Sequence, residues 1–295
     1  MNKKGLFVLF FLFLLNFLAW KEVFILNRPV FLEVDFFDVG QGDATFIKTP
    51  LNHRILIDGG PDSSILEKLS ENIPFYDRTI DLIILTHPHS DHLRGLISVF
   101  ESYDVKNLIW NGVIEDADDF RKWEKIIEGR ENVFIAKSGI RVRSGEVFFD
   151  ILYPFQFLNG QSFKDSNNTS IVIRINHKEN AFLFTGDNYK NIEFELIALQ
   201  KDCEGKESLF CKNMTLNSNV LQAGHHGSKT STSEEFLFAV SPQFVVISSG
   251  KNNSYGHPNQ EVLANLNNFG ISVLRTDELG DIKIVSDGKI IKVVD

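Results

Sequence analysis

Leu82-Ile83-Ile84-Leu85-Thr86-His87-Pro88-His89-Ser90-Asp91-His92 is the stretch on which the fold turns. The apolar run Leu82 to Leu85 reads as a buried strand. Four potential metal ligands follow it within six residues: His87, His89, Asp91 and His92. A strand that ends in such a loop holds the backbone rigid and leaves the side chains free to converge on an ion. Imidazole nitrogens with a carboxylate suit zinc, manganese or iron better than magnesium or calcium. Only eight histidines occur in the chain and three fall here, which argues against a merely solvated loop.

The 295 residues as a whole have globular composition, 43% hydrophobic and 23% charged. The 27 phenylalanines sit mostly in apolar runs and suit a large buried core. A formal charge of −9 argues against a generally basic nucleic-acid binder. It does not exclude nucleic acid, because a bound metal supplies positive charge where a phosphate needs it.

At the N-terminus, Met1-Asn2-Lys3-Lys4 precedes Gly5 to Trp20, apolar except for Asn16. Lysines before a hydrophobic stretch suit a signal peptide or signal anchor. Leu18-Ala19-Trp20 is a poor cleavage site, so the expectation is an uncleaved hydrophobic helix with its N-terminus inside and the domain outside. The alternative is a cleaved signal and a secreted product. Residues 1–27 are therefore read as anchor or signal, and 28–295 as one domain. Cys203 and Cys211, eight residues apart in a polar stretch, either close a small disulfide loop or remain free thiols.

Strands are expected over Val30–Phe37, Ala44–Lys48, Ile55–Ile57, Asp81–Leu85, Val105–Trp110 and Val133–Ala136, with helices from Asp62 or Ser63 to about Ser70, Leu93–Phe100 and Asp116–Glu128 between them. From Ile140 the pattern is richer in strand. Val147–Leu152, Ser170–Ile175, Ala181–Phe184, Val220–Gln222 and Phe244–Ile247 lead to three short closing strands, with helices Lys190–Gln200, Ser233–Val240 and Asn259–Asn268. Strands and helices in two similar halves suit an α/β fold of two packed sheets with helices outside.

Several further strands run into Gly, Asp or His, the arrangement of sites built on strand ends. Asp38 and Asp43 flank a glycine turn and are placed to orient groups at a site. Asp58, after Leu56-Ile57, is suited to accept the second N–H of a metal-bound histidine. His87 and His89 suit one ion and Asp91 and His92 a second, with Asp91 also able to hold or deprotonate an attacking water. Asp187, after Phe182-Leu183-Phe184, suits a bridge between two ions. His225 and His226, flanked by glycines, and His257, in Tyr255-Gly256-His257-Pro258, complete the set. Singly, the Asp38, Asp58 and Asp187 segments are equally well read as ordinary turns.

His87-Pro88-His89-Ser90-Asp91-His92 matches the His-x-His-x-Asp-His signature of the metallo-β-lactamase superfamily. Asp38-Val39-Gly40-Gln41-Gly42-Asp43, Asn167-Asn168-Thr169-Ser170, Thr185-Gly186-Asp187, His225-His226-Gly227-Ser228 and Tyr255-Gly256-His257-Pro258 occur in the order seen in the hydrolase domain of the ComEC competence family, so residues 31 to 285 resemble that domain. The resemblance implies an αββα sandwich with the metal site at one edge between the sheets. It implies that His87, His89, Asp91, His92 and Asp187 bind one or two divalent ions, zinc or manganese, with His257 as a late ligand. It implies catalytic roles for Asp91, His225 and His226, and substrate contacts for Asn168, Ser170, Ser228 and Lys229. The Asn-Asn-x-Ser element replaces the third-motif histidine common elsewhere in the superfamily. The substrate it implies is DNA, degraded outside the cytoplasmic membrane. Only one hydrophobic segment is present in these residues, so the resemblance bears on hydrolysis more than on DNA uptake.

The leading expectation is thus a metal-dependent hydrolase of a phosphodiester, DNA in the first place, joined to the membrane by its N-terminal segment. Hydrolysis of a small ester, amide or lactam is the alternative within the same chemistry. A membrane-tethered binding module without catalysis is the alternative outside it, and the nearly complete ligand set argues against that.

Overall fold

The computed structural model describes residues 3–26 and 31–294. Among these, eight strands form one sheet, in the spatial order Ile291–Val294, Ile282–Ser286, Leu32–Phe36, Thr45–Lys48, Arg54–Ile57, Leu82–Leu85, Leu108–Trp110 and Val133–Ile135. Seven form a second: Ser272–Arg275, Phe244–Ile247, Val220–Gln222, Asn180–Phe184, Val172–His177, Val147–Tyr153 and Arg141–Ser144.

The strand period of two explains how the sheets meet. Leu32, Val34 and Phe36 alternate into a core shared with Phe149, Ile151, Ile173, Ile175, Phe182 and Phe184 of the other sheet. The Phe36 and Phe184 rings stack 5.8 Å apart across the interface. Each such buried aromatic contributes about 1.5–3 kcal/mol relative to exposure. The opposite face of the first sheet, with Leu56, Ile83, Leu85 and Trp110, packs Leu69, Leu96 and Trp123 from helices Ile65–Asn72, Ser90–Ser102 and Asp118–Ile127. The second sheet covers Leu183, Leu221 and Val245 with Leu196, Phe236 and Leu266 from helices Lys190–Cys203, Glu234–Val240 and Gln260–Asn268. The layers are αββα, as expected.

Each sheet begins with antiparallel pairs and continues in parallel. Arg54–Ile57, Leu82–Leu85, Leu108–Trp110 and Val133–Ile135 run parallel in the first. Asn180–Phe184, Val220–Gln222, Phe244–Ile247 and Ser272–Arg275 do so in the second. Parallel strands bring their carboxyl ends to one edge, where α/β sheets bind ligands. Asp58, His87, Asp187, His225 and His226 all follow such ends.

Besides shifts of a few residues at element ends, three segments differ in kind from expectation. The helix expected from Leu93 begins at Ser90, so Asp91 and His92 lie in its first turn rather than in a loop. The single strand expected over Val105–Trp110 is split: Asp104–Val105 pairs with Thr79–Ile80 in a separate two-stranded sheet. The expected surface loop at Asp202–Asn213 is partly helical, over Lys190–Cys203 and Leu209–Asn213, and Cys203 and Cys211 are joined by a disulfide.

Ahead of the sandwich in sequence, a helix runs Lys3–Leu26. Among the described residues no helix is long and apolar enough to cross a membrane. The boundary expected at residues 27/28 and the strand start expected at Val30 lie outside the described residues.

Candidate metal centre

Backbone contacts at the strand ends bring the ligand-bearing segments together. Gly59 N–H donates to the His92 carbonyl at 2.8 Å, and Gly95 N–H donates to the Gly60 carbonyl at 3.0 Å. The Asp58-Gly59-Gly60 turn thus lies directly on the helix that starts at Ser90. A Cβ on Gly95 would stand 1.8 Å from the Gly59 carbonyl oxygen, so this approach requires glycine. The Gly40–Gly42 turn closes the other side: a Cβ on Gly42 would meet the Asp91 carbonyl oxygen at 2.2 Å. His225 and His226 both hold left-handed backbone, at φ 49° and 54°. Non-glycine residues rarely adopt it, and such strain gathers at functional sites.

Asp187 stands at the middle. Its Oδ1 lies 3.4 Å from His92 Nε2. Its Oδ2 lies 3.7 Å from His226 Nε2, 3.8 Å from His225 Nε2 and 3.9 Å from His87 Nε2. Asp91 Oδ2 is 3.4 Å from His226 Nε2. Ligand atoms of Asp91, His92, Asp187 and His226 all fall within 4.8 Å of one another. These separations exceed a hydrogen bond of about 2.9 Å. They are those of donors around a shared ion: two atoms each about 2.1 Å from a tetrahedral centre lie about 3.4 Å apart.

The decisive test is what the buried atoms bond to. His87 Nε2, His92 Nε2, His226 Nε2 and Asp187 Oδ1 are buried and have no hydrogen-bond partner. Unpaired buried polar atoms are rare and each costs about 1–3 kcal/mol. Four of them facing one another fit a divalent cation, and nitrogen with carboxylate oxygen is a donor set for one or two such ions.

The remaining ring nitrogens are held from behind. His92 Nδ1 contacts Asp58 Oδ2 at 2.8 Å, and Asp58 also accepts from the Thr86 N–H and hydroxyl, both at 2.7 Å. His226 Nδ1 contacts the Ser248 carbonyl at 3.0 Å, with Asp43 Oδ1 at 3.4 Å. His87 Nδ1 lies 3.2 Å from the Thr86 hydroxyl, and His225 Nδ1 3.2 Å from the Thr230 hydroxyl. Such contacts fix the tautomer and aim the free nitrogen at the ion.

The electrostatics are those of an anionic pocket. Burial opposes positive charge on His92 and His226, yet the Asp187 carboxylate raises both well above the ordinary imidazole value. Burial pushes Asp187 up, but His226 and His92 outweigh it and hold the carboxyl well below its usual range. Burial drives His87 well below the imidazole value, keeping its nitrogen free of a proton. His257 is pushed down to about 4 by burial and by His225 and His226.

Other expected site residues stand around this cluster. His89 turns its Nε2 toward Glu115 Oε1, 3.4 Å away. The His257 ring lies 5.4 Å from that of His225 and carries Tyr255 at 5.9 Å. Asp38 accepts from the Gly40 N–H at 3.1 Å and so shapes its own turn. Ser228 is buried and accepts from the Thr230 hydroxyl at 3.0 Å, whereas Lys229 is exposed. Ser170 is fully buried; its hydroxyl donates to the Asn167 carbonyl at 2.7 Å and accepts from the Asp187 N–H at 3.1 Å. Asn168 accepts from the Tyr189 N–H at 2.9 Å and donates to Asn191 at 3.1 Å. Both therefore brace the Asp187 segment. Thr86, Glu115 and Ser248 were not expected at the site. Thr86 adjoins the ligand run but is tied by Asp58 from another strand end, whereas nothing in the neighbours of Glu115 and Ser248 marks them, since their contacts with His89 and His226 reach distant segments.

Residues 37–251 match the family model described as Metallo-beta-lactamase superfamily. In sequence the chain is similar to ComE operon protein 3 of Bacillus subtilis (strain 168), 32% identical over 85% of this chain and 32% of that protein. It is also similar to Competence protein ComA of Neisseria gonorrhoeae, 32% identical over 84% of this chain and 31% of that protein. The chain spans about a third of the length of these curated relatives. In shape it is similar to the metallo-beta-lactamase fold protein YhfI from Bacillus subtilis, with a TM-score of 0.52, 12% identity, and coverage of 86% of this chain and 100% of that one. That likeness speaks for the fold alone. The family match takes in most of the chain and every member of the Asp91, His92, Asp187 and His226 cluster, and the chain belongs to the metallo-β-lactamase superfamily.

Proposed function

We propose that this chain is a metal-dependent phosphodiester hydrolase with DNA as its substrate. The observation that carries the reading is the set of buried, unpartnered donors His87 Nε2, His92 Nε2, His226 Nε2 and Asp187 Oδ1. Similarity to proteins named for competence supports DNA among the phosphodiesters. His87, His89, Asp91, His92, Asp187 and His226 would hold one or two divalent ions, zinc or manganese, and His257 would close the outer side. Such ions supply an acidified water and positive charge against phosphate oxygens. Asp91, partly exposed in its helix turn, would orient the water and take its proton. His225 lies on the open side of Asp187 and, with Lys229, would face the phosphate oxygens. Asp58, Thr86 and Ser248 would hold the ligand rings.

The test is incubation of the purified chain with single- and double-stranded DNA under Mn²⁺ or Zn²⁺, beside Asp91→Ala. Cleavage by the wild type and its loss in a folded variant are expected. Undiminished cleavage by Asp91→Ala would refute the site.

The second reading is a small ester, amide or lactam, which the same metal chemistry would hydrolyse. A cavity of about 310 Å³ beside Asn168 is lined by Tyr153, Phe155 and Phe163 together with Asp165 and Glu195, and none of the proposed metal ligands lines it. Turnover of a chromogenic ester or lactam without DNA cleavage would select this second reading.

In the proposed arrangement residues 1–27 are a signal anchor or signal peptide, and 28–295 form the hydrolase domain outside the cytoplasm. The Lys3-Lys4 pair before an apolar run and the disulfide Cys203–Cys211 support that side of the membrane. Release of the chain from membranes by detergent, against its recovery in the medium, separates anchor from cleaved signal.

A further inference from the structure

Glu115 sits in the loop between strand Leu108–Trp110 and helix Asp118–Ile127. We propose that its carboxylate is a ligand of the ion held by His87 and His89, completing a second metal position beside the Asp91, His92, Asp187 and His226 cluster. This rests on the metal-centre reading above.

The compact cluster already offers four donors to one ion. His87 and His89 stand outside that set, with ring centroids 4.6 Å apart. His87 Nε2 is buried without a hydrogen-bond partner, and it faces Asp187 Oδ2 at 3.9 Å. If Asp187 were shared, His87, His89 and Asp187 would give an ion here three protein donors, one fewer than a closed zinc site takes. The segment 165–170 next to it does not give one readily. The Ser170 hydroxyl is engaged on both sides, and the Asn168 amide is bonded to Tyr189 and Asn191.

That same segment positions Glu115 instead. The Ser166 hydroxyl donates to Glu115 Oε1. The same oxygen lies 3.4 Å from His89 Nε2, the edge length of a tetrahedral site rather than a hydrogen bond. Glu115 and His89 are half-buried, at 20% and 33% side-chain exposure, so both retain room to close on an ion while His87 is fixed. The Asn167 amide oxygen is also buried without a partner. It is neutral, and a carboxylate is the stronger donor to a divalent cation.

The experiment counts Mn²⁺ bound per full-length chain by elemental analysis and titration calorimetry, with folding followed by circular dichroism. Wild type, Glu115→Gln, Glu115→Ala and Asn167→Ala are compared. Glu115→Gln retains a hydrogen-bond acceptor for Ser166 but loses the charge. Two ions in wild type and Asn167→Ala are expected, with the weaker ion bound about 30-fold less tightly, or lost, in both Glu115 variants. Unchanged affinity for two ions in Glu115→Gln overturns the assignment. So does loss of the second ion in Asn167→Ala alone, or a single ion in wild type. A wild type that binds no ion overturns the metal-centre reading itself.

Discussion

Asp187 Oδ1 and His92 Nε2 face each other across 3.4 Å, both buried, and neither has a hydrogen-bond partner. The two residues are 95 apart in sequence and belong to segments that follow strands of different sheets, so packing of the sandwich is what sets their separation.

A cation between them should stabilise the fold. Ligand present at a hundred times its dissociation constant adds about 2.7 kcal/mol. Thermal unfolding with and without excess Mn²⁺ or Zn²⁺ should show a rise in Tm that a chelator abolishes. Asp187→Asn should lose most of that rise. A full shift in the variant would mean that the ion binds elsewhere.

Asp58 accepts hydrogen bonds from Thr86 and braces His92 without facing the cluster itself. Asp58→Asn should weaken metal binding by about 10–100-fold, as loss of such acceptors commonly does. Competition with a fluorescent chelator measures it directly, and an unchanged affinity would show that His92 is oriented by other contacts.

Gly95 lies against the Gly59 carbonyl with no room for a Cβ. Gly95→Ala should cost about 3 kcal/mol by overpacking and should also displace the turn that carries Asp91 and His92. Urea denaturation and metal titration should move together. Loss of stability with unaltered metal affinity would argue that the helix start is held independently of Gly59.

Asp35 pairs across strands with Lys283 at 3.3 Å, and burial outweighs that pairing, raising its carboxyl from 3.8 to about 6. Between pH 4 and 6 the folded chain retains a proton that the unfolded chain has released. Stability should therefore fall as pH rises through this window and level off above it. The two-unit gap corresponds to about 3 kcal/mol. Asp35→Asn should flatten this contribution in urea titrations at pH 4 and pH 8. A slope that persists in the variant would assign it to other groups.

Much of this architecture is legible in the chain because it is local. The alternation of Leu32, Val34 and Phe36 announces one buried face. The histidines of 87–92 announce a metal site, because their spacing depends on nothing else. What is not legible depends on distant partners. Nothing around Glu115 marks it, since its meaning comes from Ser166, and the bond from Thr86 to Asp58 joins two segments 28 residues apart. The same reasoning explains Ser170 and Asn168. The resemblance implies substrate contacts for them, whereas in the fold they accept hydrogen bonds from the Asp187 N–H and the Tyr189 N–H. The helix that starts at Ser90 is held from another strand end, by Gly59 at the His92 carbonyl and by Gly60 at the Gly95 N–H one turn on.

The proposed ligands come from both sheets, with His87, His89, Asp91 and His92 following a strand of one and Asp187 and His226 following strands of the other. An ion held by them would act as a clasp across the seam of the sandwich. Two fragments parted between the sheets would each carry an incomplete set of donors, and metal would be the switch for their complementation. The site is a property of the joint, and neither half possesses it alone.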